Sequence, residues 1–111
     1  MSLIYAYKGM GLSRYITIQD DDDATITPAV DDVLRISIGR EGETAKLVVS
    51  SATPTINGSS ITKGVTNRLR LDGADLSFDP GVYTLFVDLM DSADANEWKI
   101  VDRQVFVLEE T

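Results

Sequence analysis

The chain contains neither cysteine nor histidine. Without cysteine there are no disulfides and no thiolate metal sites, and the redox compartment leaves no mark on the sequence. Without histidine the commonest general base and the commonest metal ligand are both missing. Catalysis would have to run on carboxylates or lysine, so a non-enzymatic role is expected, with no cofactor. Positive charge is scarce too: ten Lys and Arg stand against eighteen Asp and Glu, a net charge of −8. A surface of that sign repels nucleic-acid phosphates and anionic lipid heads, so neither nucleic acid nor membrane is expected as a partner. It favours solubility, and docking on a basic partner is the sharper reading. No apolar run approaches the length of a membrane span, and the start lacks the basic segment and apolar core of a signal peptide. Helical periodicity is also lacking, since no stretch beyond about eight residues keeps apolar side chains at i, i+3, i+4 and i+7.

What is present is alternation. Asp79-Pro80-Gly81 is a natural reversal, because proline fixes φ and glycine accepts conformations other residues avoid. After it, Tyr83, Leu85, Val87 and Leu89 point one way while Thr84 and Asp88 point the other, as in a half-buried strand. An Asp-x-Gly-x-Tyr turn of this kind is similar to the start of the sixth strand of an immunoglobulin-like sandwich, where the tyrosine makes a corner hydrogen bond. Leu34, Ile36 and Ile38 alternate with Val33, Arg35 and Ser37. The turn from Gly39 to Glu43 leads to a second strand from Thr44 to Ser50, which makes a hairpin. Arg14-Tyr15-Ile16-Thr17-Ile18 reads as one short strand, and Asn57-Gly58 as a tight hairpin turn. Leu69 and Leu71 face inward with Arg68 and Arg70 outward. Trp98 to Leu108 closes the chain as a last strand. About seven to eight strands recur at sandwich spacing, so the expected fold is all-β: a single antiparallel, immunoglobulin-like β-sandwich. Residues 1–10 form an N-terminal arm or a first edge strand, and residues 11–111 the sandwich domain. The length of 111 residues suits one modest core.

Candidate sites are few. Asp20-Asp21-Asp22-Asp23 could meet Ca²⁺, yet consecutive side chains of an extended segment point in opposite directions, and a solvated loop is expected. Asp91, Asp94, Asn96 and Glu97 are better spaced for a cation but do not match the Asp-x-Asp-x-Asp-Gly loop. Trp98, the sole tryptophan, is either a stacking platform for a sugar or a cover for the end of the core or the flanking loop. Gly9-x-Gly11 is too short for a phosphate loop, and no nucleophile turn is present. No catalytic, cofactor-binding or metal-binding residue is assigned. The residues expected at an interface are Ile4, Tyr5, Tyr7 and Met10 in the N-terminal piece, with Arg68 and Arg70 on the outer face of their strand, since arginine is enriched at interfaces.

From about Tyr15 to Glu110 the chain resembles the small β-sandwich proteins of tailed-phage particles. The resemblance is carried by Asp31-Asp32-Val33-Leu34-Arg35-Ile36-Ser37-Ile38, the Asn57-Gly58-Ser59-Ser60 turn, Pro80-Gly81-Val82-Tyr83-Thr84-Leu85 and a last hairpin closing with Arg103-Gln104-Val105-Phe106-Val107. The order is similar to that of immunoglobulin-like modules in phage baseplates, necks and capsid surfaces. Leu85 stands where antibody-type domains carry their second cysteine, which excludes an inter-sheet disulfide and suits assembly in a reducing cytoplasm. The resemblance implies a virion structural protein, decorating or cementing a capsid or forming part of a tail or neck. Its partners would be other virion proteins, capsid or tail subunits, within a homo-oligomer or symmetric assembly. On that view deleting residues 1–10 abolishes incorporation and leaves the sandwich folded. The competing expectation is a cell-surface or secreted module binding carbohydrate or a host protein through Trp98 and residues 91–97, with a small hydrolase behind it.

Overall fold

The computed structural model describes residues 3–19, 24–29, 31–52, 58–64, 66–90 and 97–111. Among them ten strands and one short 3-10 turn, Gly73–Asp75, make an all-β fold. The strands are β1 (Leu3–Tyr7), β2 (Leu12–Ile16), β3 (Ile18–Gln19), β4 (Thr25–Ile26), β5 (Val33–Gly39), β6 (Leu47–Ser50), β7 (Ser60–Thr62), β8 (Asn67–Leu71), β9 (Gly81–Met90) and β10 (Trp98–Glu109). Five of them form one sheet in the order β1-β10-β9-β5-β6, and three form a second in the order β2-β8-β7. The pair β3-β4 makes a small separate ladder. This ladder takes the strand number above the seven or eight that the pattern suggests.

Alternation decides which side of each strand is buried. Leu34, Ile36 and Ile38 of β5, Tyr83, Leu85 and Val87 of β9, and Phe106 and Leu108 of β10 face inward and are almost fully buried. From the second sheet Ile16, Ile61, Leu69 and Leu71 meet them in one apolar cluster. Two sheets, each with one apolar face, bury those faces against each other, as a β-sandwich does.

All strand pairs are antiparallel except β1 with β10, which run parallel with Tyr5 opposite Val107. A parallel pair cannot be closed by a hairpin, and here the whole intervening domain is the connection. The N-terminal piece is therefore an edge strand of the five-stranded sheet, with Ile4 and Ala6 in the core. Of the two forms expected for residues 1–10, arm or first edge strand, Leu3–Tyr7 takes the second, and removing it would take away part of that core.

The segment from Arg14 to Ile18 is two strands, not one. Ile16 pairs with Asn67, the first residue of β8, so the ladder ends there. The Asn67 side chain, fully buried, donates to the Ile16 carbonyl at 3.0 Å and accepts from the Gly64 amide at 3.1 Å. Ile18 then pairs with Ile26 of β4 while its side chain stays in the core. In the closing strand the polar triplet Asp102-Arg103-Gln104 has a local cause. The register shifts between Ile100 and Asp102, and Asp102 accepts from the Arg103 amide at 2.8 Å and the Gln104 side chain at 3.2 Å. The bulge leaves Gln104 buried but hydrogen-bonded. The Asn57-Gly58 turn falls partly outside the described residues; Gly58 itself has φ of +96°.

Candidate functional site

The outer face of the five-stranded sheet carries the most unusual surface. On β1 the inward residues Ile4 and Ala6 are buried, so Leu3, Tyr5 and Tyr7 point outward, with Tyr5 51% and Tyr7 48% exposed. Beside them run the half-buried Val105 and Val107 of β10 and then Val82 of β9, 62% exposed. Scattered surface apolar residues are normal, but here aromatic and aliphatic side chains lie contiguously along an edge strand. Met10, also exposed, lies in the turn after β1, its amide bonded to the Tyr7 carbonyl at 3.0 Å. The turn is tied down: the Lys8 amide donates to Glu109, the Gly9 amide to Leu76, and Thr111 Oγ1 to the Lys8 carbonyl. Ile4, expected at the interface, is instead 1% exposed, because it occupies an inward position of the strand.

Arg68 and Arg70 lie on the other outer face, that of the three-stranded sheet, and are exposed as expected. Tyr15 stands opposite Arg68 and Ser13 opposite Arg70, and Arg68 Nε approaches Ser13 Oγ at 3.4 Å. Among the described residues neither arginine pairs with a carboxylate. The expected interface residues therefore divide between opposite faces of the sandwich and do not form one site.

Further along the five-stranded sheet lies a groove of about 470 Å³. Arg35, Phe86, Trp98, Ile100 and Arg103 line it, together with the β5–β6 turn from Arg40 to Glu43. Arg35 and Asp88 are neighbours across β5 and β9, and the guanidinium donates to Asp88 Oδ2 from Nε at 3.1 Å and Nη2 at 2.8 Å. The same guanidinium lies 4.0 Å from the centroid of the Trp98 ring. Trp98 thus sits on the outer surface of the sheet against Arg35 and is not among the buried core residues, while the flanking loop that it is also expected to cover lies outside the described residues. Arg103 lies over Phe86 at 5.6 Å and Arg40 over Tyr83 at 4.4 Å. The outward positions of Arg35, Phe86 and Arg103 follow from strand alternation, but only the strand order β10-β9-β5 brings them together, which is why the groove is not legible in the sequence.

The corner hydrogen bond at Tyr83 is present: its hydroxyl donates to the carbonyl oxygen of Asp79, and its ring meets Phe78 edge-on with centroids 5.0 Å apart. Among the described residues no group of three or more acidic side chains is placed to hold a metal ion. Residues 20–23 and 91–96, which carry both cation expectations apart from Glu97, lie outside the described residues. No protein-family model and no curated protein matches the chain.

Proposed function

We propose that this chain is a non-enzymatic structural protein that makes protein–protein contacts in a symmetric assembly, and that the assembly is a tailed-phage virion, with the chain as capsid decoration or as a tail or neck component. The observation that carries the reading is the outward row of Leu3, Tyr5 and Tyr7 on an edge strand whose inward residues are locked in the core. A strand held this firmly presents its apolar side chains with little further ordering entropy to lose, which is what a repeated contact in a particle requires. The sandwich itself is read as immunoglobulin-like. In support, the first strand runs parallel to the last at one edge, β10, β9, β5 and β6 follow in that sheet, β2, β8 and β7 make the other, and Tyr83 forms the corner. The phage setting rests on the sequence resemblance.

Protein counting in purified particles tests the reading. The chain should be present at a fixed copy number set by the particle's symmetry, and Tyr5→Ser with Tyr7→Ser should lower that number. Absence from particles, or unchanged incorporation of the double variant, would defeat it. A second reading, a secreted or cell-surface module for carbohydrate or a host protein, draws on the groove beside Trp98. Binding to a glycan panel that vanishes in Trp98→Ala would favour it over the first.

A further inference from the structure

We infer that the free edge of β1 is a self-association site: two copies pair their β1 strands antiparallel about a twofold axis at Tyr5, joining two five-stranded sheets into one of ten strands. The inference rests on the structural role proposed above and specifies which contact builds the assembly.

Topology supplies the first reason. Among the described residues β1 is hydrogen-bonded to β10 on one side only, so the other side presents backbone groups that no strand pairs, apart from the Tyr7 carbonyl, which accepts from the Met10 amide. Natural edge strands are usually blunted by shortness, charge, proline or a bulge. Among the described residues the other edges show such devices. β7 has three residues and runs into Lys63, β2 carries the exposed Arg14 in its middle, and β6 has four residues and follows the exposed Lys46. β1 has none between Leu3 and Tyr7: no charge, no proline, no glycine and a continuous register with β10.

Charge supplies the second. Two copies of a chain with net charge −8 repel each other over most of their surfaces. Every acidic residue, however, stands at position 20 or later, and the only charged side chains before it are Lys8 and Arg14. β1 is therefore a stretch where two copies meet without bringing carboxylates of the same strand together. Lys8 falls beyond the paired segment.

The side chains supply the third and select a second copy over a foreign strand. A twofold axis at Tyr5 sets Tyr5 against its own counterpart and Leu3 against Tyr7, and these aromatic and aliphatic cross-strand pairs are stabilising. The strand bears no charge by which to recognise a charged partner, whereas its own outward row is self-complementary.

The absence of cysteine makes the test clean. Residues directly opposite in an antiparallel pair have Cα atoms about 4.5–5.5 Å apart, within the span of about 4.4–6.8 Å that a disulfide bridges. Tyr5→Cys should cross-link to itself under oxidised glutathione, about a thousandfold faster than Tyr15→Cys on the opposite face, the ratio of a millimolar effective concentration to a micromolar bulk one. In sedimentation the native chain should show twice the monomer mass, and Tyr5→Lys the monomer mass with a cooperative denaturation whose midpoint no longer depends on protein concentration. Fastest cross-linking by Val82→Cys would mean that faces, not edges, dock and would overturn the inference. So would a native chain that sediments as a monomer throughout. If the chain is counted in particles but Tyr5→Cys does not cross-link, the edge pairing fails and the structural role stands.

Discussion

The guanidinium of Arg35 is sandwiched in function between two neighbours: it lies 4.0 Å from the centroid of the Trp98 ring and donates twice to Asp88. Asp88 is only 5% exposed, so Arg35 supplies hydrogen bonds that water has little room to replace. Arg35→Leu should cost about 2 kcal/mol, because it leaves a largely buried carboxylate without its cation. Arg35→Lys restores the charge but not the flat surface that lies on the indole. It should recover part of the stability, with the emission of the only tryptophan still altered. Denaturation followed by Trp98 fluorescence measures both, and native-like emission in Arg35→Lys would contradict the stack.

Tyr83→Phe should cost about 1 kcal/mol, the worth of one hydrogen bond. Its ring keeps the edge-on contact with Phe78 and the guanidinium of Arg40 above it. Since the acceptor is the backbone carbonyl of Asp79, Asp79→Ala should change stability by no more than about 0.5 kcal/mol. Equal losses from the two substitutions would show that the Asp79 side chain matters and the corner bond does not. Urea midpoints for both variants decide it.

Two glycines that meet near the β1–β2 turn should behave differently. A Cβ on Gly73 would stand 2.4 Å from the Gly9 carbonyl oxygen, a backbone atom that cannot rotate away. Gly9 has φ of +79° but open space around it. Gly73→Ala should therefore cost about 2–3 kcal/mol by overpacking, and Gly9→Ala about 1 kcal/mol from the left-handed backbone alone. Thermal or urea unfolding that ranks Gly9→Ala as the worse would refute the close approach.

These residues also mark what the sequence makes legible. The inward faces of β5, β8 and β9 follow from alternation alone, as Leu34, Leu69 and Leu85 testify, because a period of two is a property of the local chain. The corner at Tyr83 is equally local. Strand adjacency is not. The parallel pairing of Leu3 with Val105 joins residues at opposite ends of the chain, and no local pattern encodes it. The split at Thr17 depends on where β8 begins, in a different part of the sequence. The Arg35–Asp88 pair needs β5 beside β9, and Trp98 reaches them only through the β9–β10 hairpin. Of the expected interface, Tyr5 and Tyr7 could be placed outward once Ile4 is inward, but nothing before the fold decides which member of the alternation faces the core.

That choice governs how the first strand should be tested. Deletion of residues 1–10 removes Ile4 and Ala6 from the core and uncovers the β10 edge that Leu3–Tyr7 protects. Ile4→Ala alone should cost about 2–4 kcal/mol, since a side chain that is 1% exposed leaves a cavity when truncated. Whole-strand deletion should exceed that and consume most of the roughly 5–15 kcal/mol that holds a domain of this size. Tyr5→Ser and Tyr7→Ser, at positions about half exposed, should stay within about 1 kcal/mol of the native chain. Loss of assembly in the deletion would then report unfolding, whereas loss in the tyrosine variants would report the contact. Urea denaturation of all four chains separates the two causes: a deletion variant with a native midpoint would mean that β1 contributes no core and acts as a dispensable arm.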